Sequence, residues 1–403
     1  MISVEEALER IRQHARPRAT HTIKSTDALG SVLAADITSD VDSPPHDKAL
    51  MDGYAVVASD IAPSVELSIL EEVTAGDVPT KTVTSGTATR IMTGAPIPKG
   101  ANAVVMIERT EIVGDQHAKV RISADGAEPG LNIMPRGQSV RIGDVVLQRG
   151  RLIRPIEVGV LAECGATEIS AYRLPSVAIL STGNELVSPN VRPSAGQIRN
   201  SNGPMLEALV QRNGNAVVNL GVGRDERTDL DWLVQRGLEE DVLILSGGVS
   251  AGVLDLVPEV LASNGVEQVF HKVYLKPGKP VWFGVKKDSQ GDKLVFGLPG
   301  NPVSSLVCFE LFVRPALASL SGRKFSVVER RTAHLATRHS RYSDRPTYFP
   351  ACLFEHEDKL QVEPLAWKGS ADLRTLADAN CLALFPPSET EFAAGDEIEV
   401  YPL

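Results

Sequence analysis

The chain has 403 residues, more than one hydrophobic core usually serves, so about two to four domains are expected. Its formal net charge of −10 disfavours nucleic acid as the main partner, and no stretch reaches the roughly 18 apolar residues of a membrane span. The four cysteines are scattered without a Cys-x-x-Cys motif, so we expect no zinc site, a reducing compartment and a cytoplasmic protein.

The N-terminal residues predict a short helix. Ser3 and Glu6 have the spacing of a capping box, in which each side chain accepts a hydrogen bond from a backbone N–H of the first turn. Val4, Leu8 and Ile11 recur at helical spacing and form one apolar stripe. A helix that buries this stripe is therefore expected at the start of the chain.

The next segments change from a mixed pattern to a β pattern and back. Residues 27–43 predict a second helical stretch that leads into an extended strand from Asp36 to Asp42. Residues 55–140 are rich in Val, Thr, Ile and Gly at short spacing, which predicts an all-β region. Because residues 141–172 return to a mixed pattern, we expect the β region to be an inserted domain.

Residues 175–320 alternate between strand and helix patterns. The alternation predicts βαβ units and a largely parallel, doubly wound sheet. After Arg323 the short strand patterns resume and predict a small C-terminal β domain. The expected strands run from Val177 to Leu180, Ala216 to Leu220, Val242 to Leu245 and Val269 to Leu275, with helices at 203–212, 228–238 and 255–263 and an apolar, buried helix that ends near Leu320.

The predicted fold is therefore a multidomain α/β protein with additional β domains. A central doubly wound α/β domain is expected between a β-rich insert domain and a small C-terminal β domain. The expected boundaries are 1–45 with 141–174 for a mixed, elongated domain I, 46–140 for the β-rich domain II, 175–323 for the α/β domain III and 324–403 for the barrel-like domain IV.

Polar loops gather at the carboxyl ends of the predicted parallel strands. In an open α/β sheet, ligands bind outside these ends. The loops that fall there are Ser181–Glu185, Gly223–Glu226, Ser246–Asp255, Lys276–Pro280 and Gly297–Ser304. A single acid in a loop is usually solvated surface, but several charged and glycine-rich loops at one edge indicate a binding site.

The glycine-rich loop after Leu245 has two interpretations. Glycines such as Gly247 and Gly248 allow a ligand to approach the backbone, and consecutive N–H groups next to a helix N-terminus favour an anion. Asp255, in the first turn of that helix, then suggests a cation between the acid and the anion. The alternative is an ordinary strand-to-helix turn in which Asp255 interacts with the helix dipole.

The charged residues at this edge define the expected chemistry. Lys276 and Lys279, together with backbone N–H groups, suit a phosphate or another tetrahedral oxyanion. Glu185, Asp225 and Asp255 are carboxylates, and carboxylates near a phosphoryl group most simply hold Mg²⁺. Such a metal ion neutralises the charge that builds up in phosphoryl transfer.

Six motifs extend in order over nearly the whole chain: Pro44-Pro45 with Met51–Ala55, Met92–Pro96, Ser181–Leu186, Ser246–Ser250, Lys276–Pro280 and Gly297–Ser304. Together these motifs resemble those of the molybdopterin molybdenumtransferases. This family includes the MoeA proteins of bacteria and is related to the E domain of gephyrin. The specificity of the match comes from the number of motifs and their order.

The resemblance implies a fold and a reaction. Proteins of this family are elongated homodimers of four-domain subunits, in which the α/β domain binds molybdopterin. With Mg²⁺ they convert adenylylated molybdopterin and molybdate into molybdenum cofactor and AMP. Their active site lies between subunits, with the second domain of one subunit facing the third domain of the other. The implied partners are a molybdopterin adenylyltransferase, which supplies the pterin, and molybdoenzymes, which accept the cofactor.

The resemblance also implies roles for individual residues. Four acids match catalytic positions, namely Asp52, Glu185, Asp225 and Asp255, and of these Asp225 and Asp255 are the implied Mg²⁺ ligands. The residues implied to bind the pterin, its phosphate or molybdate are Thr93, Thr182, Ser246, Gly247, Gly248, Ser250, Lys276, Lys279, Asn301, Pro302, Ser304, Arg345 and Ser370.

The sequence departs from the family pattern at three places. Residues Lys48–Leu50 interrupt the first motif, Gly137–Ser139 lacks the usual carboxylate, and Pro350 stands where a second arginine usually follows Arg345. These losses support a second hypothesis, a diverged, non-catalytic molybdopterin-binding or scaffold protein. A third hypothesis is a nucleotide-processing enzyme that shares only the molybdopterin-binding fold, and the motifs in the other domains disfavour it.

Overall fold

The structure is a computed structural model that describes most of the chain. The described residues are 1–114, 118–248, 256–289, 291–325, 329–340, 343–387 and 391–403. Two residues with roles implied from the sequence, Ser250 and Asp255, lie outside the described residues. Their roles as a substrate-binding residue and as a catalytic, Mg²⁺-binding acid therefore stay predictions.

The chain begins with the predicted helix, α1 (Val4–His14). The Ser3 hydroxyl caps this helix by accepting a hydrogen bond from the Glu6 N–H at 3.1 Å. Leu8 and Ile11, on its apolar stripe, are buried in the same core cluster as the central domain. The prediction from the capping box and the apolar spacing is confirmed.

Residues 15–49, all of which the structure describes, differ from the prediction. They contain three short strands, β1 (Thr20–Lys24), β2 (Ile37–Thr38) and β3 (Lys48–Ala49). The helical stretch predicted within 27–43 is wrong, because only the 3₁₀ turn Ser25–Asp27 is helical there. Gly30 has a φ of +81°, a conformation that an α-helix does not contain.

A six-stranded sheet occupies most of the predicted β region. The strands of this region are β4 (Gly53–Val56), β5 (Val65–Val73), β6 (Thr87–Ile91), β7 (Ala103–Met106), β8 (Thr110–Val113), β9 (Lys119–Ile122) and β10 (Ile133–Met134). The sheet order is β7-β4-β6-β5-β9-β8. Tyr54, Leu67 and Val120 are buried in its core. Apart from short 3₁₀ turns, the prediction of a β region is confirmed.

The chain then returns to the N-terminal strands. The next elements are β11 (Val145–Leu147), α2 (Pro155–Glu163) and β12 (Glu168–Tyr172). Strand β11 pairs with β2, and β12 pairs antiparallel with β1, with Tyr172 opposite Thr20. The sheet that contains β4 to β9 is therefore inserted between two segments that fold together.

The central region is an α/β sheet with helices on both faces. Its elements are β13 (Val177–Thr182), β14 (Leu186–Val187), β15 (Ile198–Arg199), α3 (Asn202–Arg212), β16 (Val217–Gly223), α4 (Arg227–Gly237), β17 (Val242–Ser246), α5 (Val257–Ser263), β18 (Glu267–His271), β19 (Trp282–Lys286) and β20 (Lys293–Leu298). The sheet order is β16-β13-β17-β20-β19-β18. One core cluster contains α1 and α3, and another contains α4 and α5.

The strand directions confirm a doubly wound sheet with one antiparallel strand. Strands β16, β13, β17 and β20 are parallel, whereas β19 runs antiparallel to both of its neighbours. Every residue of β13 and β17 is buried, because helices cover both faces of the sheet. Because both faces are covered, each of these two strands appears in the sequence as a continuous apolar run, the pattern from which it was predicted.

A long helix follows β20. It consists of α6 (Pro302–Cys308), a π-helical turn (Phe309–Val313) and α7 (Arg314–Leu320). By length and composition it is the one helix among the described residues that has the properties of a membrane span, but 83% of its apolar window is buried inside the protein. It is therefore a helix of the protein core, as its apolar composition on all sides predicts.

The C-terminal region is a small closed barrel. Its elements are β21 (Arg331–Leu335), β22 (Thr347–His356), β23 (Lys359–Pro364), α8 (Leu373–Ala377), β24 (Cys381–Phe385) and β25 (Glu397–Pro402). The barrel closes in the order β21-β23-β22-β24-β25. Its buried residues belong to the same core cluster as one face of the central sheet, so the barrel is packed against the central region.

Candidate functional site

A cavity of about 680 Å³ opens where the parallel strands of the central sheet end. Thr182 ends β13, Ser246 ends β17, and Gly300 follows β20; all three residues line the cavity. They meet because β17 lies between β13 and β20 in the sheet. This cavity, called the strand-edge cavity below, is thus formed by loops that are distant in sequence.

The turn after β17 forms part of the cavity wall with its backbone. Gly247 and Gly248 have φ values of +94° and +63°, a left-handed conformation that favours glycine. A Cβ at Gly247 would lie 2.5 Å from the carbonyl oxygen of Thr182, and one at Gly248 would lie 2.6 Å from the Thr182 Oγ1. Neither position accepts a side chain, so a ligand can approach the backbone of this turn closely.

Two buried side chains of the cavity wall have unpaired polar atoms. Thr182 is 3% exposed and Asn202 is 7% exposed. Neither the Thr182 Oγ1 nor the Asn202 Oδ1 has a hydrogen-bond partner in the part of the chain that the structure describes. An unpaired buried polar atom costs about 1–3 kcal/mol. Both atoms have almost no accessible surface of their own, so a ligand in the cavity reaches them only if the wall moves.

Asn202 was missed by reasoning from the sequence, although it is central to the cavity. Its Nδ2 donates to the Ser246 Oγ at 2.8 Å and to the Gly300 carbonyl oxygen at 2.7 Å. It therefore joins the loops that follow β17 and β20. The available signal is the polar run from Arg199 to Asn202 just before α3, which has no periodicity and so does not register as a pattern.

Two of the predicted acids line the strand-edge cavity. The Glu185 carboxylate lies over Gly183, since a Cβ there would be 2.5 Å from the Glu185 Oε2. The Asp225 N–H donates to the Asn184 Oδ1 at 3.2 Å, and this bond joins the loops after β13 and β16. Glu185 and Asp225 therefore reach the same cavity from adjacent loops.

This donor set fits Mg²⁺. The ion prefers oxygen ligands, retains several waters, and usually takes one or two carboxylates together with phosphate oxygens of a substrate. Within the described residues, no three His, Cys, Asp or Glu side chains are grouped closely enough to hold a metal by themselves. Glu185 and Asp225 provide the two carboxylates that a site shared with a phosphate requires.

The two predicted lysines do not line the strand-edge cavity, although Pro280 of the same loop does. Strand β18, expected to reach Leu275, ends at His271. The Lys276 N–H donates to the Pro346 carbonyl oxygen at 2.8 Å, so this segment pairs with the barrel instead. Lys279 is exposed.

The barrel contributes one wall of the cavity. The Asn301 Nδ2 donates to the Ser370 Oγ at 2.9 Å, and Asn301 and Pro302 line the cavity. Arg345 lies beside the lysine loop (Lys276–Pro280), with its Nη1 donating to the Leu275 carbonyl oxygen at 3.2 Å. Ser304, in contrast, is 4% exposed within α6 and is not part of the cavity wall.

Asp52 and Thr93 form a separate pair next to the inserted sheet. The Asp52 Oδ1 accepts hydrogen bonds from the Thr93 N–H and hydroxyl, both at 2.7 Å. These two bonds hold the pKa of Asp52 below its usual range. Neither residue lines the strand-edge cavity, so the predicted residues form two groups within one chain.

Three family models match the chain in succession. They are described as MoeA N-terminal region (domain I and II), probable molybdopterin binding domain, and MoeA C-terminal region (domain IV), and they cover residues 2–165, 178–319 and 332–403. The acids and the glycine turn of the strand-edge cavity lie within the second model, and the loop around Ser370 lies within the third.

Individual relatives match over almost the entire chain. Molybdopterin molybdenumtransferase of Staphylococcus aureus (strain Mu50) is 33% identical over 408 residues, which cover 99% of this chain and 95% of that protein. The protein of the same name from Staphylococcus epidermidis (strain RP62A) is 34% identical over 406 residues, with the same coverage. The crystal structure of the molybdopterin biosynthesis MoeA protein from Pyrococcus horikoshii OT3 is 30% identical, has a TM-score of 0.82 and covers 100% of both chains.

The three family models and the curated relatives place the protein among the enzymes of molybdenum cofactor biosynthesis. Since relatives that are 30–34% identical match over nearly its whole length, the chain belongs to the MoeA family. The resemblance drawn from the six sequence motifs is thereby confirmed.

Proposed function

We propose that the chain is a molybdopterin molybdenumtransferase that inserts molybdenum from molybdate into adenylylated molybdopterin and releases AMP. The observation that carries this proposal is the strand-edge cavity, in which Glu185 and Asp225 lie close to the glycine turn after β17. Carboxylates and an exposed backbone turn at one cavity suit a phosphate-bearing ligand with Mg²⁺.

The residues of the cavity would act mainly by positioning. The backbone of Gly247 and Gly248 allows close approach of the phosphate. Glu185 and Asp225 would hold Mg²⁺, which supplies charge neutralisation at the phosphoanhydride. Orientation and electrostatic stabilisation are sufficient for a site without an evident nucleophile.

Molybdate would bind at the junction with the barrel. Lys276 and Arg345 lie side by side there, since Arg345 donates to the residue that precedes Lys276. Ser370 reaches the cavity wall through its hydrogen bond with Asn301. Lys276 and Arg345 can attract a tetrahedral oxyanion, although Arg345 also pairs with Asp344 at 3.2 Å, and Lys279 belongs to the same loop as Lys276.

The proposal includes a homodimer in the cytoplasm. Asp52 and Thr93 do not line the cavity of their own chain, and we propose that a second subunit supplies them. Helix α2 offers a surface for such contact, because its sequence is apolar on nearly all sides and Ile156 is 69% exposed. An adenylyltransferase would supply the substrate and molybdoenzymes would accept the product. A monomeric mass by light scattering would contradict the dimer.

Release of AMP tests the proposed reaction. The protein is mixed with adenylylated molybdopterin, molybdate and Mg²⁺, and AMP is measured over time. Glu185→Gln keeps the size of the side chain but removes the charge, and it is expected to reduce the rate by about 100-fold. Glu226→Gln is the matched control, because Glu226 is exposed, follows Asp225 directly and does not line the cavity.

The same assay decides between catalysis and the scaffold hypothesis. Pro350 is buried in β22 and offers no cation where the family pattern has an arginine. If molybdopterin binds in a calorimetric titration but wild-type protein releases no AMP above background, the chain is a diverged binding protein. If AMP appears only when molybdate is added, the transferase proposal stands.

A further inference from the structure

The strand-edge cavity contains one basic side chain with no role implied by the motifs. Arg199 is the only lysine or arginine among the described residues that line the cavity. The lysines at 276 and 279 lie outside the wall, and Glu185 and Asp225 contribute negative charge to it. In addition to the Mg²⁺ proposed above, a cationic side chain would attract an anionic ligand, and Arg199 is the one that the described wall offers.

Backbone pairing fixes the position of Arg199 relative to the acidic loop. Strand β15 pairs with β14 in parallel, with Arg199 opposite Val187. The N–H of Ile198 donates to the Glu185 carbonyl oxygen, and the N–H of Asn200 donates to the Val187 carbonyl oxygen, both at 2.8 Å. Because these bonds flank Arg199 on both sides, its backbone is held next to the loop that carries Glu185.

The guanidinium group of Arg199 is held at one end. Its Nε donates to the Val191 carbonyl oxygen at 3.1 Å. Within the described residues this is its only hydrogen bond, so the terminal nitrogens Nη1 and Nη2 have no protein partner there. A guanidinium group donates two parallel hydrogen bonds to a phosphate, a geometry that an ammonium group does not provide.

We propose that Arg199 binds the phosphate of the substrate in the strand-edge cavity and so determines the affinity for its nucleotide part. This inference rests on the proposed function, in which AMP is the released product that carries this phosphate. The fixed backbone, the orienting bond to Val191 and terminal nitrogens without a partner among the described residues are the features of a side chain preorganised to bind phosphate. The positive charge also offsets the two carboxylates that line the same wall.

Calorimetric titration of AMP onto the full-length protein with Mg²⁺ tests this role. Arg199→Gln is expected to weaken AMP binding by about 10- to 100-fold, the usual size of a charge-assisted hydrogen bond. Arg199→Lys keeps the charge but loses the paired geometry, so an intermediate affinity is expected. Arg192→Gln is the matched control, because Arg192 is exposed in the same loop and does not line the cavity.

The outcomes separate this role from the proposed function. Equal AMP affinity in Arg199→Gln and the wild type would overturn the role of Arg199, and so would equal losses in Arg199→Gln and Arg192→Gln. Wild-type AMP release together with unchanged AMP binding by Arg199→Gln contradicts only this inference. Conversely, loss of AMP binding in Arg199→Gln without molybdate-dependent AMP release by the wild type supports the role of Arg199 and contradicts the proposed reaction.

Discussion

A single neighbour, Thr93, stabilises the ionised carboxylate of Asp52. The backbone N–H of Thr93 and then its hydroxyl favour the charged carboxylate and lower the pKa of Asp52. Because this pKa is lowered in the folded chain, the associated stabilisation is present above the pKa of the unfolded chain. It is lost as the pH falls through the lower, folded value. Asp52 is therefore ionised at neutral pH.

The change Thr93→Val removes the hydroxyl donor and keeps the backbone N–H. The pKa of Asp52 should then rise towards its usual value, because one of its two hydrogen bonds is lost. If Asp52 acts as an ionised group, the acidic limb of the pH–activity profile moves to higher pH. Carboxyl NMR titration measures the pKa, and the rate of AMP release between about pH 2 and 6 measures the profile, because the folded pKa lies below the usual aspartate value of about 4.

The control for this prediction is Thr74→Val. The Thr74 N–H and hydroxyl donate to the Asp77 carboxylate at 2.9 and 2.7 Å, and the hydroxyl bond followed by the backbone bond lowers the pKa of Asp77. This variant should raise the pKa of Asp77 without moving the activity profile. A Thr93→Val profile identical to that of the wild type would contradict the assigned role of Asp52.

At the scale of elements, the sequence predicted strands best where they are buried on both faces. Strands β13 and β17 are covered on both faces, so each appears as a continuous apolar run. The segment Ile198–Asn202 was not predictable in the same way, because a two-residue strand and a polar run have no periodicity. The unpaired state of the Thr182 and Asn202 polar atoms is likewise visible only when distant loops meet.

The lysine loop shows why contacts between regions escape local patterns. The apolar run up to Leu275 predicted a strand that would place Lys276 at the cavity. Lys272 has a φ of +70°, which ends β18. Tyr274 then pairs with Ile2 at the N-terminus, and Lys276 pairs with the barrel segment around Thr347. No local repeat in the sequence indicates this turn or the pairing of Lys276 with the barrel. The sequence therefore did not predict where Lys276 lies.

The long core helix allows a test at this scale. Glu310, in the π-helical turn, is 1% exposed and forms ion pairs with Arg212 and with Arg314, the latter at 2.9 Å. Glu310→Gln leaves two arginines without their acid, and we expect the free energy of unfolding to fall by about 3 kcal/mol. Thermal unfolding followed by calorimetry measures the loss.

The matched control for the core helix is an exposed ion pair. Glu259 lies 3.6 Å from Arg227, with both side chains in solvent. Glu259→Gln should hardly change the unfolding temperature, because exposed pairs contribute little. If Glu310→Gln is equally harmless, the buried pair does not stabilise the helix that begins at the cavity.

At the scale of the whole molecule, the cavity depends on residues from several regions. Its wall extends from Thr182 in the central sheet to Leu373 beside the barrel. Asp52 and Thr93 lie next to the inserted sheet and do not reach that wall in their own chain. If both act at the cavity, as we propose, a second subunit supplies them, and we expect the two copies to meet at the exposed apolar surface of α2.

A crystal structure with AMP, molybdate and Mg²⁺ bound tests the central claim most directly. The account predicts the AMP phosphate in the strand-edge cavity, within hydrogen-bond distance of Arg199 and the Gly247–Gly248 turn. It also predicts that Asp52 of the partner subunit borders the same cavity. AMP bound at another surface, or a cavity that no second subunit approaches, would contradict it.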